Sequence, residues 1–133
     1  MENTICLDTD ILADFLRNKE YAIKWIEEHE DENILATTII SIFELYYGAY
    51  KSSSPEKEVE AIEELIDKLQ ILDFSLNSVH EAGKQKARLE KEGKVIEFRD
   101  IFIGAITLVE GFSLKTNNKK HFERIEGLNL IDI

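Results

Sequence analysis

A single cysteine, Cys6, stands among the 133 residues, so an internal disulfide is excluded and a reducing cytoplasm is the expected compartment. Flanked by Ile5 and Leu7, Cys6 reads as a small buried hydrophobe rather than a nucleophile or metal ligand. Proline is equally scarce. Pro55 is the only one, and with no Pro-, Gly- or Ser-rich linker, repeat or low-complexity tract the chain reads as one domain over residues 1–133. No apolar run approaches the ~18 residues that a membrane span requires. The first eight residues lack the basic start and apolar stretch of a secretion signal.

Basic residues are also in deficit: 16 Lys and Arg face 27 Asp and Glu, a formal charge of −11. Taken alone, that balance argues against nucleic acid, because phosphates are normally met by clustered Lys and Arg. Two features weaken the objection. Acidic residues that hold divalent ions invert the local potential, and much of the remaining negative charge falls in residues 27–32 and 56–67, which read as solvated helix faces.

What is present is an alternation of short apolar runs and amphipathic helices. Strands are expected at Thr4–Asp8, Ile34–Thr37, Ile71–Phe74, Phe112–Thr116 and Leu128–Ile131. Helices are expected over 9–17, over 20–28, through Ile39–Tyr47, over 55–69, from Ser75 to Glu92 and from Phe98 to Val109, with a short turn at His121–Phe122. Gly93 and Gly111 mark two helix ends, and Gly48 interrupts its helix or lets it pack closely. Ser54 is placed to cap the helix that Pro55 opens, with Glu58 completing a capping box. Strands separated by helices predict an α/β fold: a central, mostly parallel sheet of four to five short strands flanked by helices. In such sheets ligands gather at the carboxyl ends of the strands.

Three acidic residues stand out against that frame. Asp8 falls where the first strand gives way to its helix, and helix capping is its simplest role. Glu44 lies in an apolar helix, Ile39-Ile40-Ser41-Ile42-Phe43-Glu44-Leu45-Tyr46-Tyr47-Gly48, where a buried carboxylate needs a partner and no Lys or Arg is close in sequence. Asp100 opens the apolar run Ile101–Ile106, where it compensates the helix dipole or pairs with Arg99. Three such acids suggest convergence. Clustered carboxylates repel, and Mg²⁺ or Mn²⁺, which prefer oxygen ligands, relieves that repulsion. Zn²⁺ fits less well, because His29, His80 and His121 show no ligand spacing.

These segments resemble the motifs of the PIN-domain family, and within it the VapC-type toxins. Ile5-Cys6-Leu7-Asp8-Thr9-Asp10-Ile11-Leu12 is similar to the first acidic motif, Ser41-Ile42-Phe43-Glu44-Leu45-Tyr46-Tyr47-Gly48 to the second and Arg99-Asp100-Ile101-Phe102-Ile103-Gly104-Ala105 to the third. Leu114 to Phe122, followed by Ile125-Glu126-Gly127-Leu128, resembles the closing region, and the likeness runs from about residue 4 to residue 132. In the fourth acidic position Asn117 stands where a fully acidic quartet has Asp. An amide offers less charge there, and Asp10 is an extra carboxylate near enough to compensate, although turn stabilisation is its simpler role.

The resemblance implies a single PIN domain and a metal-dependent endoribonuclease, inhibited by a cognate VapB-like antitoxin and commonly a homodimer. It implies Asp8, Glu44 and Asp100 as ligands of Mg²⁺ or Mn²⁺, with Asn117 completing the catalytic set and, with Thr116, positioning the phosphate or a metal-bound water; Arg99, Lys115, Lys119 and Lys120 are the basic residues nearest these motifs and the candidates for RNA contacts. In-line attack by water on a phosphodiester needs no protein nucleophile. Lys119 and Lys120 serve equally well as solubilising residues, and Tyr46, Tyr47 and Tyr50 as packing residues. Phe15, Tyr21 and Trp25 are candidate dimer anchors that ordinary core packing could also absorb. Three other readings compete: a PIN-type RNA-processing nuclease outside any toxin–antitoxin pair, a catalytically silent protein-binding module, and a small phosphohydrolase or response-regulator-like domain, whose order of acids and Lys this chain lacks.

Overall fold

Alternation within the strands sorts the molecule into layers. In the computed structural model, which describes residues 3–131, β1 (Asn3–Leu7) and β2 (Asn33–Thr38) pair in parallel, with Ile5 opposite Leu35 and Cys6 opposite Ala36. Successive side chains of a strand point to opposite faces. Ile5, Leu7 and Leu35 therefore pack with α1 (Thr9–Leu16), α2 (Glu20–His29), α3 (Ile39–Lys51) and α4 (Pro55–Ile66). Cys6, Ala36 and Leu114 face the other way, into a core built with α5 (Leu76–Lys91), α6 (Phe98–Val109) and the short α7 (Lys119–Phe122).

Two further strands complete the sheet, β3 (Gln70–Leu72) beside β2 and β4 (Ser113–Lys115) beside β1, giving the parallel order β3-β2-β1-β4. The chain thus steps outward from β1 in one direction and later returns to its other side. Between β1 and β4 the connections diverge, and the carboxyl ends of these two strands form the crevice where ligands bind in open parallel sheets. Asp8 follows β1 there and Thr116 follows β4.

The sheet has four strands among the described residues. The expected strand at 128–131 is reduced to one parallel bridge between Leu114 and Leu130, with Leu114 N donating to Asn129 O at 2.9 Å and Ile131 N to Leu114 O at 2.9 Å. β4 is only three residues long and offers little edge for a longer ladder. β3 ends at Leu72, two residues before the expected Phe74, whose ring instead packs 4.8 Å from that of Phe102. The capping box at α4 is not formed: the Ser54 side chain makes no capping bond, and Glu58 N bonds the Ser54 carbonyl. Gly48 does not interrupt α3, and a Cβ there would meet nothing within 4 Å.

α6 is the central buried helix, with Ile101 and every residue from Ile103 to Thr107 buried. Gly104 allows its close approach to the C-terminal segment, because a Cβ at that position would lie 2.1 Å from Ile125 Cδ1. Gln85 of α5 anchors the same segment, donating to Glu126 O at 2.9 Å and accepting from Glu126 N at 3.1 Å. Phe15 and Trp25 pack against the core on the α1–α4 side, whereas Tyr21 stays exposed. Among the described residues no helix is long and apolar enough to cross a membrane.

Candidate active site

Asp8 terminates β1 and caps α1, accepting from Thr9 N at 2.7 Å. Capping does not exhaust it. Its other oxygen accepts the Thr116 hydroxyl at 2.7 Å, so the ends of β1 and β4 are joined through a carboxylate that is fully buried. Thr116 Oγ1 in turn accepts from Asn118 N at 3.0 Å.

Glu44 reaches the same point from α3. Thr38 caps that helix through Ser41 N at 3.1 Å, and Ser41 precedes Glu44 by three residues, which puts both on one helical face. Thr9 ties the face to α1, donating to Glu44 Oε1 at 2.6 Å and lying 2.8 Å from Ser41 Oγ. Asp100 arrives from the first turn of α6 and is 2% exposed. The three acids therefore come from three elements onto one location at the carboxyl end of the sheet.

Arg99 occupies the middle of that location. Its Nε donates to Glu44 Oε2 at 2.6 Å, and its Nη2 donates to Glu44 Oε1 at 2.9 Å and to Asp8 Oδ1 at 3.3 Å. Its Nη1 donates to Asp100 Oδ1. The partner that Glu44 lacks nearby in sequence is thus an arginine 55 positions away. One guanidinium faces three carboxylates, a local charge of −2 before His121 is counted.

His121 is a further member, with Nδ1 lying 3.2 Å from Asp100 Oδ2. Nothing in its sequence spacing relative to other histidines announces this. Its position just beyond the closing Thr116-Asn117-Asn118 segment was the available signal. Thr9 and Ser41 were likewise legible only as neighbours of Asp8 and Glu44.

Electrostatics follow from these contacts. Burial would raise the Glu44 carboxyl, but hydrogen bonds from Arg99 and Thr9 outweigh it and hold Glu44 below the usual range. Asp100 goes the other way, because burial and Asp8 together exceed the help of Arg99 and His121. The bond to Glu44 leads the stabilisation of the Arg99 cation, with the charges of Asp8, Glu44 and Asp100 adding to it against burial. The Cys6 thiol, buried behind the site, is pushed up to about 12, foremost by burial.

A second group lies toward the rim. Asp10 accepts from Ile11 N at 2.8 Å and from Asn117 N at 3.0 Å, holding the loop after β4 against α1. The Asn117 amide donates to Tyr21 Oη at 2.7 Å, and Tyr21 donates to Asp14. The side chain of Asn117 is thus directed to Tyr21 and not to Asp8, Glu44 or Asp100. Burial, then the Asp8 charge, lift Asp10 to about 6. Lys119 opens α7, two positions before His121.

Two clefts flank the acids. One of about 320 Å³ lies between α1, α3 and α4, with Thr9 and Glu44 in its wall beside Ala13, Leu16 and Ile62. A smaller one of about 170 Å³ includes Asp100, His121, Glu97 and Arg124.

Among the described residues, no three Asp, Glu, His or Cys side chains are gathered so as to hold a metal ion as they stand, since the guanidinium separates the carboxylates. The chemistry of the groups nevertheless suits a hard divalent cation: the oxygens gathered here are carboxylate and hydroxyl, and three carboxylates face one guanidinium.

Comparison with known proteins gives the family. The PIN domain family matches residues 5–128. Ribonuclease VapC2 of Haemophilus influenzae is 35% identical over 92% of both chains. The tRNA(fMet)-specific endonuclease VapC of Shigella flexneri is 28% identical over 95% of both. Among solved structures, VapBC2 from Rickettsia felis bound to a DNA fragment from its promoter superposes with a TM-score of 0.90 at 28% identity, covering 98% of each chain. DNA-bound VapBC from Salmonella typhimurium gives 0.88 at 28% identity, covering 99% of this chain and 98% of that one. The chain belongs to the PIN-domain family, in its VapC-type branch.

Proposed function

We propose that this protein is a Mg²⁺- or Mn²⁺-dependent endoribonuclease that hydrolyses RNA phosphodiester bonds and serves as the toxin of a VapBC-like toxin–antitoxin pair. The observation that carries the reading is the convergence of Asp8, Glu44 and Asp100 at the carboxyl ends of β1 and β4. Relatives along nearly the whole chain bear the names ribonuclease and endonuclease, and the structural neighbours are toxin–antitoxin complexes.

Asp8, Asp100 and Glu44 are the residues to hold the cation, which when bound supplies Lewis-acid polarisation of the phosphate and a lower pKa for the attacking water. Thr116 and the Thr9 amide fix the orientation of Asp8, as outer partners of ligating carboxylates do. Thr9 does the same for Glu44, with Ser41 against the Thr9 hydroxyl. Thr116, expected to position the phosphate, is buried with its hydroxyl given to Asp8; Arg99 and Lys119 remain to orient the scissile phosphate, and Asn117 shapes the rim through Tyr21 and Asp10. The chain offers no nucleophile of its own here: the hydroxyls of Thr9 and Thr116 are both committed to carboxylates. Its expected partners are RNA, a VapB-like antitoxin and a second copy of itself.

One observation favours a second reading, that of a silent protein-binding module: Arg99 already neutralises part of the acidic cluster. Expression in a bacterial host separates the two. A nuclease toxin arrests growth, Asp100→Asn relieves the arrest, and a small protein encoded beside its gene suppresses it and co-purifies with it. Growth unaffected by the wild-type protein, with its RNA intact, would favour the silent module.

A further inference from the structure

Every oxygen that a cation would take from Glu44 is already engaged by Arg99, which contacts Oε1 at 2.9 Å and Oε2 at 2.6 Å. The same guanidinium reaches Asp8 Oδ1 at 3.3 Å and also binds Asp100. It therefore lies at the centre of the three carboxylates, holding through hydrogen bonds and charge the groups that a divalent ion would hold by coordination. The guanidinium and the ion cannot both occupy the space between the three carboxylates. Asp8 has little to spare, since its second oxygen carries the Thr116 hydroxyl.

The side chain is also placed to leave. Arg99 sits in the first turn of α6 with 28% of its side chain exposed, against 1% for Asp8 and 2% for Asp100. Withdrawal needs rotation about side-chain bonds and no movement of the buried helix. Its carboxylate partners keep contacts of their own: Thr9 holds Glu44, Thr116 holds Asp8 and His121 lies beside Asp100.

Resting on the assignment of Asp8, Glu44 and Asp100 as the cation's ligands, we propose that Arg99 is a built-in competitor of the divalent cation. It holds the three carboxylates together in the metal-free protein and must be displaced when the ion binds. Arg99 thus lowers the affinity for the ion while raising the stability of the ion-free fold. Cation loading is an exchange of one positive group for another, and the concentration of free divalent ion at which the site fills is set by this side chain.

The test measures binding and stability rather than cleavage. Chelator-stripped wild type, Arg99→Gln and Asp100→Asn are titrated with Mn²⁺ by calorimetry, and their thermal unfolding is followed in EDTA and in Mn²⁺. The expected result is that Arg99→Gln unfolds at lower temperature in EDTA, binds Mn²⁺ about tenfold or more tightly than wild type, and gains more in Tm from the ion. Arg99→Gln binding Mn²⁺ no more tightly than wild type, with Asp100→Asn losing it, would overturn the competition and leave the ligand assignment standing. Mn²⁺ binding by neither wild type nor Arg99→Gln, or binding undiminished in Asp100→Asn, would overturn the ligand assignment and the competition with it. Should Arg99→Gln fail to fold, wild type alone decides through the ¹⁵N–¹H resonance of Arg99 Nε. That resonance is shifted and protected from exchange in EDTA, and must move to a solvent-exposed position on saturation with Mg²⁺. A resonance unchanged with Mg²⁺ bound would refute displacement.

Discussion

Two polar networks share the carboxyl end of the sheet and handle negative charge in opposite ways. The inner one joins Asp8, Glu44 and Asp100 to Arg99, Thr9, Ser41, Thr116 and His121, and its two aspartates are almost wholly buried. The outer one joins Asp10, Asn117, Tyr21 and Asp14, with Lys19 3.4 Å from Asp14, and its Asn117, Tyr21 and Lys19 reach into water. Water screens the Lys19–Asp14 pair, which is worth little, whereas Asp10 is partly buried and feels the Asp8 charge. In the inner network the two aspartates are shielded from water, and their charge must be matched by groups the fold supplies. Only there do three carboxylates share a single guanidinium.

The largest effect separating the two networks is expected at Asp100. Asp100→Asn keeps the shape, removes one charge from the inner cluster and should lower RNA cleavage by more than about a hundredfold, beyond what losing an outer partner costs. Next comes Thr116→Val, which is nearly isosteric but leaves a buried oxygen of Asp8 without its hydroxyl. A loss of about 10- to 100-fold in cleavage or metal affinity is expected, read from titrations of activity against Mg²⁺. Asn117→Ala, in the outer network, should cost less than about tenfold, below the range of a ligand's hydrogen-bond partner. A loss matching that of Asp100→Asn would place Asn117 in the inner network instead.

The smallest effect concerns stability. Burial and the neighbouring Asp8 lift Asp10 from 3.8 to about 6 in the folded chain. Because the native state then holds this proton to higher pH than the unfolded chain does, its contribution is present below 3.8 and lost as pH rises through about 6. In chelator, urea denaturation should show Asp10→Asn flattening that part of the pH profile. An unchanged profile would mean that Asp10 is as well solvated as its rim position allows.

The difference between the networks also explains what could be read from the sequence. Strand alternation in Ile5–Leu7, the helical spacing of Ile11, Leu12 and Phe15, and the apolar run behind Asp100 located the elements and placed Asp8 and Asp100 at their ends and Glu44 within an apolar helix. Those are local signals. The bond from Arg99 to Glu44 spans 55 positions and depends on how α3 and α6 meet above the sheet, so no spacing rule reveals it. His121 joins Asp100 only because the short α7 folds back onto α6. The direction of the Asn117 amide is settled by Tyr21, 96 positions earlier. At the other extreme, the missing capping box at Ser54 and the shortened pairing at 128–131 show that local patterns permit an interaction without requiring it.

The central claim is that the inner cluster performs cation-dependent RNA cleavage. The most direct measurement incubates a mixed RNA pool with wild type or Asp100→Asn, each with Mg²⁺, with Mn²⁺ and with EDTA. Cleavage by wild type in either metal, abolished by EDTA and by Asp100→Asn, is the predicted result. Cleavage that persists in EDTA, or that Asp100→Asn retains in full, would contradict the claim.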